Sequence, residues 1–369
     1  MGGEAGRIMT QVAVLPGDGI GPEVTVAALR VLDAAHPGLT FVEAPIGAAA
    51  IAATGEPMPA ETVRICSESA GILFGAVGGP GYDHLTPDKR PEAAILGLRK
   101  HFGLYANVRP ARVFPGMESR SPLRPELVDG MDLVFVRELT GGLYFGEKTL
   151  TREDGHEVVR DVLVYRDFEI ERAARFAFAL ARMRSKRLTS VDKNNVLLSS
   201  QLWRRIVIEV AKDYPDVRVE HMLVDNAAMQ LVRDPRAFDV IVTENMFGDI
   251  LSDEAAMITG TIGTAASAAL SGAPDAHGFG LYEPISGTAP DIAGKGIANP
   301  IGAILSAALL ARYSLGDEAG AAAIERAVAE TLAHGPRTRD LDRETGASTS
   351  AVADAIVARI TTVALSSRA

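Results

Sequence analysis

The sequence predicts an α/β protein of two lobes that share a mostly parallel sheet. Three observations carry this expectation. Short apolar runs alternate with helix-like stretches toward both ends of the chain, the pattern of strand–helix–strand units. A polar stretch at 142–165 carries turn signals but no apolar core of its own. No Pro-, Gly- or Ser-rich linker and no internal repeat interrupts the 369 residues, so the lobes are expected to be joined by shared strands.

The elements follow in order. Residues 12–15 form a buried strand, and 22–35 a helix with Pro22 in its first turn, where the missing N–H costs nothing. Strands follow at 39–43 and 71–77. A further apolar strand covers 133–137. The stretch 142–165 places Asp154-Gly155 between two alternating segments and reads as a β-hairpin arm, of the kind that pairs with another subunit. Helix 170–181, strand 188–191, helix 199–214 and strands 217–222 and 240–243 complete the middle. Long helices at 300–313, 318–334 and 348–364 close the chain.

Composition narrows the function. Hydrophobic residues make up 47% and charged residues 23%, the profile of a folded globular chain rather than a disordered one. Net charge is −10 with no Lys/Arg run, which argues against a nucleic-acid surface. Cys66 is the only cysteine, so neither an intrachain disulfide nor a Cys-rich zinc site can form. It lies in the helix-like stretch 61–69 and reads as a packed core thiol. Residues 12–15 are too short for a signal-peptide core and run into Pro16, so a cytoplasmic protein is expected. Residues 255–274 carry no charge over a span long enough to cross a bilayer. Their Gly, Ala, Ser and Thr content predicts instead a buried, close-packed segment.

Several motifs can carry chemistry, and each has an ordinary reading beside the functional one. Gly17, Gly19 and Gly21 follow a strand and open a helix, where a dinucleotide fingerprint belongs, and Glu43 ends the next strand. The spacing is GxGxG rather than GxGxxG, which argues against a Rossmann domain. Asp249 and Asp253, four apart, share one face of a helix. Adjacent carboxylates suit a hard divalent cation, and Asp225, just past a strand, can complete the set; an acidic helix start is the plain alternative. Arg99, Arg109 and Arg137 sit at edges of apolar elements, where guanidinium forks can meet carboxylates or simply form salt bridges. Tyr144 lies among glycines. Lys193 follows a buried strand among polar groups, so desolvation is expected to ease loss of its proton. The loop from Glu283 through Asn299 is long, turn-rich and feeds a helix, like many binding loops. Within it, Asp291 can accept from free ribose hydroxyls and would repel a 2′-phosphate, favouring NAD over NADP.

Taken together and in this order, the motifs resemble one family. They are VAVLPGDGIGPEV (12–24), GAVGGP (75–80), RPEAAILGLRK (90–100), YANVRP (105–110), VRELTGGLYFGE (136–147), VDKNNVL (191–197), ENMFGDILSDEAAMITG (244–260) and LYEPISGTAPDIAGKGIANP (281–300). The chain resembles the isocitrate/isopropylmalate β-decarboxylating dehydrogenase family from about residue 12 to 316. The resemblance implies that family's non-Rossmann fold, with a discontinuous NAD-binding lobe at 1–107 and 261–369. A substrate and dimerisation lobe would cover 108–260, with its arm at about 142–165. It implies a homodimer in which Lys193 and Asp225 reach the site of the partner subunit.

Carried over by position, the resemblance makes Tyr144 and Lys193 the acid/base pair. Arg99, Arg109 and Arg137 would hold the malate carboxylate, and Asp225, Asp249 and Asp253 would bind Mg²⁺ or Mn²⁺. Gly79, Glu92, Glu283, Ser286, Gly287, Thr288, Ala289, Pro290, Asp291, Ile292 and Asn299 would face the cofactor. Ile95 and Leu96 would wall the substrate's alkyl group, so 3-isopropylmalate is the expected substrate, with another 3-alkylmalate, malate, tartrate or homoisocitrate as alternatives. A non-catalytic subunit on the same fold is disfavoured, because Tyr144, Lys193 and the aspartates are all present.

Overall fold

The computed structural model describes residues 10–366, with side chains from 10 to 361. In chain order the elements are β1 (Gln11–Gly17), α1 (Gly21–Ala35), β2 (Thr40–Glu43), α2 (Gly47–Thr54), α3 (Ala60–Ser67), β3 (Ile72–Ala76), α4 (Ala93–His101), β4 (Ala106–Arg112), α5 (Pro125–Val128) and β5 (Asp132–Glu138). Then come β6 (Lys148–Glu153), β7 (His156–Asp161), α6 (Asp167–Arg182), β8 (Arg187–Asp192), α7 (Leu198–Ala211), β9 (Arg218–Leu223), α8 (Val224–Arg233) and β10 (Val240–Thr243). The last are α9 (Asn245–Ile258), β11 (Ala266–Leu270), β12 (Gly280–Pro284), α10 (Ile301–Tyr313), α11 (Glu318–His334) and α12 (Thr349–Ser366). Ten strands form one large, mostly parallel sheet, while β6 and β7 form a separate ribbon.

The chain groups into two compact units. The first holds the residues up to His101, Gly263–Ala268, and those from His277 onward. Its strands run β2-β1-β3-β12, with β1 parallel to β2 and to β3, and β12 parallel to β3. Residues Val12 to Leu15 are buried on both faces, which is why they read as a continuous apolar run rather than an alternating one. Helix α10 is apolar on every side because α1, α11 and β12 surround it. Two glycines explain the GxGxG spacing. A Cβ on Gly17 would meet the Ala76 carbonyl oxygen at 1.9 Å, and one on Gly19 the Thr288 carbonyl oxygen at 2.1 Å, and both residues have positive φ. They serve close backbone packing inside this unit.

The second unit holds Phe102–Ile262 and Ala269–Ala276. Its strand order is β4-β5-β10-β8-β9, with β4 antiparallel to β5 and the rest parallel. Trp203, Phe176, Phe178 and Phe135 are almost wholly buried around these strands. Each such side chain contributes about 1.5–3 kcal/mol by leaving water. The arm is an antiparallel hairpin whose Leu150 lies opposite Val159, and both are 67% exposed.

Most boundaries predicted from periodicity lie within two or three residues of those observed. Strand β4 and helix α8 went unread, as did β11, whose five residues are all small or apolar and all buried. The uncharged stretch 255–274 is the end of α9, a turn and β11. No described helix is long and apolar enough to cross a membrane. Cys66 is fully buried on α3, and burial pushes its thiol up to about 12.

Candidate active site

The second unit gathers a cluster of charged side chains where three elements meet. Strand β10 pairs with β5 in parallel, Thr243 opposite Arg137, and then launches α9, so the helix starts beside Arg137. Gly248 permits that approach, since a Cβ there would lie 2.8 Å from the Arg137 side chain. On the other side of β5, Asn107 lies opposite Arg137 and Arg109 opposite Phe135. Cross-strand neighbours and residues two apart share a face, so Arg109 and Arg137 point the same way.

Both arginines converge on α9. Arg109 Nη1 lies 3.2 Å from Asp249 Oδ1 and 3.2 Å from Asp253 Oδ1, and donates to Ser252 Oγ at 2.8 Å. Its Nε donates to Asn107 Oδ1 at 2.8 Å. Arg137 Nη1 pairs with Asp249 Oδ1, and its Nε donates to Asn245 Oδ1 at 2.9 Å. Tyr144, from the loop after β5, donates to Asp249 Oδ2 at 2.8 Å, and the Arg137 guanidinium carbon lies 5.5 Å from its ring centroid. The guanidinium groups are buried while the two carboxylates remain open to solvent: side-chain exposure is 3% for Arg137 but 50% for Asp253.

The electrostatics follow from that arrangement. Burial holds the Tyr144 hydroxyl above the ordinary phenol range, and the Asp249 carboxylate raises it further. Tyr144 therefore keeps a proton to give at neutral pH. Burial also lifts the Asp253 carboxyl above the usual carboxylate range, Arg109 pulls it down, and neighbouring Asp249 raises it. Two carboxylates one helical turn apart form a donor set that a hard divalent cation fits. Among the described residues of one chain, no three His, Cys, Asp or Glu side chains gather to hold a metal.

Asp225 engages Lys193 instead, at 2.5 Å. The Lys193 side chain is 28% exposed and stands against that carboxylate. The hydrogen bond from Lys193 in turn holds the Asp225 carboxyl below its usual range.

The remaining candidates lie in the first unit. Arg99, in the last turn of α4, pairs with Glu283 on β12 at 2.8 Å; both are nearly buried, and Arg99 Nε has no partner. Ile95 is half-buried and Leu96 exposed, whereas Leu98 enters the core. The loop after β12 is pinned from α1. Ile20 N–H donates to the Thr288 carbonyl at 2.9 Å, and Glu23 accepts from the amides of Gly296 and Ala298. Gly287 and Ala289 both adopt positive φ. Gly79, Glu92, Gly287, Pro290 and Asp291 are exposed, and Ser286, Thr288, Ala289 and Ile292 half-buried. The open carboxylate of Asp291 and the open backbone at Gly287 suit ribose hydroxyls and a phosphate. Asn299 is engaged otherwise: its Oδ1 accepts from Ile301 N–H at the start of α10, and its Nδ2 donates to Asp340.

Sequence reasoning missed the supporting groups. Asp18 accepts from the amides of Ala48, Ala49 and Gly78, and so ties the glycine loop to the segment after β3. Glu23, Asn107, Asn245 and Ser252 escaped notice too. Their one signal is polar character inside otherwise apolar elements.

A large, mostly parallel α/β sheet and an arginine–carboxylate–tyrosine cluster set the class of fold and site, and comparison with known proteins gives the family. The model described as "Isocitrate/isopropylmalate dehydrogenase" matches residues 11–356. The 3-isopropylmalate dehydrogenase of Novosphingobium aromaticivorans is 57% identical over 353 residues, 95% of this chain and 100% of that one. That of Pseudoalteromonas translucida is 55% identical over 355 residues, 95% of this chain and 98% of the relative. Among solved structures, the isocitrate dehydrogenase of Methylococcus capsulatus superposes with a TM-score of 0.84 at 35% identity, covering 95% of this chain and 99% of the other. A β-decarboxylating dehydrogenase from Thermococcus kodakarensis gives 0.79 at 39% identity, covering 96% and 97%. The chain belongs to the isocitrate/isopropylmalate dehydrogenase family.

Proposed function

We propose that the chain catalyses the NAD-dependent oxidative decarboxylation of (2R,3S)-3-isopropylmalate to 4-methyl-2-oxopentanoate and CO₂, a step of leucine biosynthesis. The observation that carries this reading is the convergence of Arg109, Arg137 and Tyr144 on Asp249 and Asp253. Relatives bearing the name 3-isopropylmalate dehydrogenase, at 52–57% identity over nearly the whole chain, support the choice of substrate.

Asp249 and Asp253, with Asp225 of a partner subunit, would hold Mg²⁺ or Mn²⁺. Residues 283–299, with Gly79 and Glu92, would hold NAD. Bound there, the cation supplies Lewis-acid polarisation of the substrate hydroxyl and its adjacent carboxylate, and NAD supplies the hydride acceptor.

The chain's own groups do the rest. The Arg99, Arg109 and Arg137 forks take a malate carboxylate. Lys193 of the partner subunit takes the hydroxyl proton. The carbon–carbon bond to the departing carboxylate then breaks, leaving an enolate to which Tyr144 gives its proton. Ile95 and Leu96 offer an apolar wall to the isopropyl group. The third carboxylate of isocitrate or homoisocitrate would lie unpaired against it, at a cost of several kcal/mol. Homodimer assembly and a cytoplasmic setting complete the proposal.

The test is NADH formation from 3-isopropylmalate with Mg²⁺, run beside isocitrate, homoisocitrate, malate and tartrate. Preference for 3-isopropylmalate, abolished by EDTA and restored by Mg²⁺ or Mn²⁺, is the expected outcome. Turnover of another substituted malate in its place would keep the chemistry and discard the substrate. EDTA-insensitive turnover would discard the metal.

A further inference from the structure

Asn245 opens α9 and is fully buried. Its side chain makes two bonds that an amide can make in one orientation only. Oδ1 accepts from Arg137 Nε at 2.9 Å, and Nδ2 donates to the Gly141 carbonyl at 3.0 Å. A guanidinium has nothing to accept with and a carbonyl nothing to donate, so the two partners fix which end of the amide faces which. The Asn245 backbone N–H donates to the Tyr165 hydroxyl at 2.9 Å, which anchors the residue itself. Glu244 caps the helix beside it by accepting from Phe247 N–H at 2.8 Å.

The two partners of the amide lead to two of the three groups that meet Asp249. Arg137 reaches Asp249 through Nη1, and Gly141 leads through Gly142 and Leu143 to Tyr144, whose hydroxyl donates to Asp249. One side chain therefore closes a ring through β5, the loop that follows it and α9. A guanidinium held at Nε can present only its Nη edge to an incoming carboxylate, so the bond at Nε sets the aim of the fork.

We propose that Asn245 is a positioning residue, which aims Arg137 through one end of its amide and holds the Tyr144 loop through the other. The role rests on the dehydrogenase reading above, because it acts through two groups assigned there. Two variants of the full-length enzyme separate the ends of the amide. Asn245→Asp keeps an acceptor for Arg137 but sets a second oxygen against the Gly141 carbonyl. It is expected to lower kcat about tenfold while KM for 3-isopropylmalate stays within about twofold. Asn245→Ser is too short to reach either partner. It is expected to lower kcat about tenfold and to raise KM for 3-isopropylmalate about tenfold, with KM for NAD unchanged. In an Arg137→Lys background, which has no Nε fork to aim, the added effect of Asn245→Ser on KM should vanish.

Parallel losses in both KM values, tracking a fall in Tm, would show a merely structural residue and overturn the proposal. So would wild-type kinetics in both variants, or additive effects in the double variant. Should Asn245→Ser fail to fold, the kcat-against-KM split in Asn245→Asp decides alone. A wild-type enzyme silent on 3-isopropylmalate overturns the dehydrogenase reading itself, an outcome distinct from active wild type with unaffected variants.

Discussion

Asp249 is approached by three donors from three parts of the second unit: Arg109 from β4, Arg137 from β5 and Tyr144 from the following loop. The i,i+4 spacing of Asp249 and Asp253 was legible because a helix face is a local property. Ser252 and Asn245 were not, because their partners Arg109 and Arg137 lie 143 and 108 residues away. Tyr144 is the group whose chemistry is most exposed to test. Burial and Asp249 keep its hydroxyl protonated, and it is 39% exposed, so its loss should disturb packing little. Tyr144→Phe is expected to lower kcat by about 10²–10⁴-fold with Tm close to wild type. Steady-state kinetics and a thermal melt check this; a variant with undiminished kcat would remove Tyr144 as the proton donor.

Among the elements, α9 depends on a buried acid. Glu244 caps the helix and is 5% exposed, and burial holds its carboxyl above the usual range. A carboxyl whose folded-state pKa is raised favours the native state fully below its unfolded value. That contribution is lost as pH rises through the folded value. Glu244→Gln keeps a capping oxygen and removes the titration. Its Tm relative to wild type should therefore rise as pH climbs above the ordinary carboxylate range, as melts at increasing pH would show. A flat difference would mean that Glu244 ionises in the native protein as it does unfolded. Elements differed in how openly they could be read. Strand β4 was obscured because Asn107, Arg109 and Pro110 break its apolar run, two of them where the cluster needs polar groups. Strand β11 was obscured because Ala and Ser carry little strand preference, and only burial makes them a strand.

On the scale of the whole molecule, the proposed homodimer puts the hairpin arm to the test. An isolated two-stranded hairpin is marginal in water, and this one shows Leu150 and Val159 at 67% exposure. In the proposed homodimer a second copy covers that pair, and Lys193 and Asp225, which pair with each other within one chain, reach the partner's site. The double variant Leu150→Asp with Val159→Asp is expected to sediment as a monomer and to lose most of its turnover, while the wild type sediments as a dimer. A wild-type monomer with full activity would discard both the arm's role and the shared site.

The sequence by itself determined the α/β class, the mostly parallel sheet, the order of the long helices, the hairpin arm and the pairing of Asp249 with Asp253. All of these follow from periodicity, turn chemistry and spacing within a few residues. The tertiary structure alone decided that Lys193 rests against Asp225, that Asn299 serves the start of α10, and that Arg99 pairs with Glu283. It also decided that one buried amide links Arg137 to the Tyr144 loop. The physical reason is range. Arg109 and Asp253 stand 144 residues apart in the chain, and only the strand register that sets β4 beside β5, and β5 beside the strand that launches α9, brings their charges within 3.2 Å.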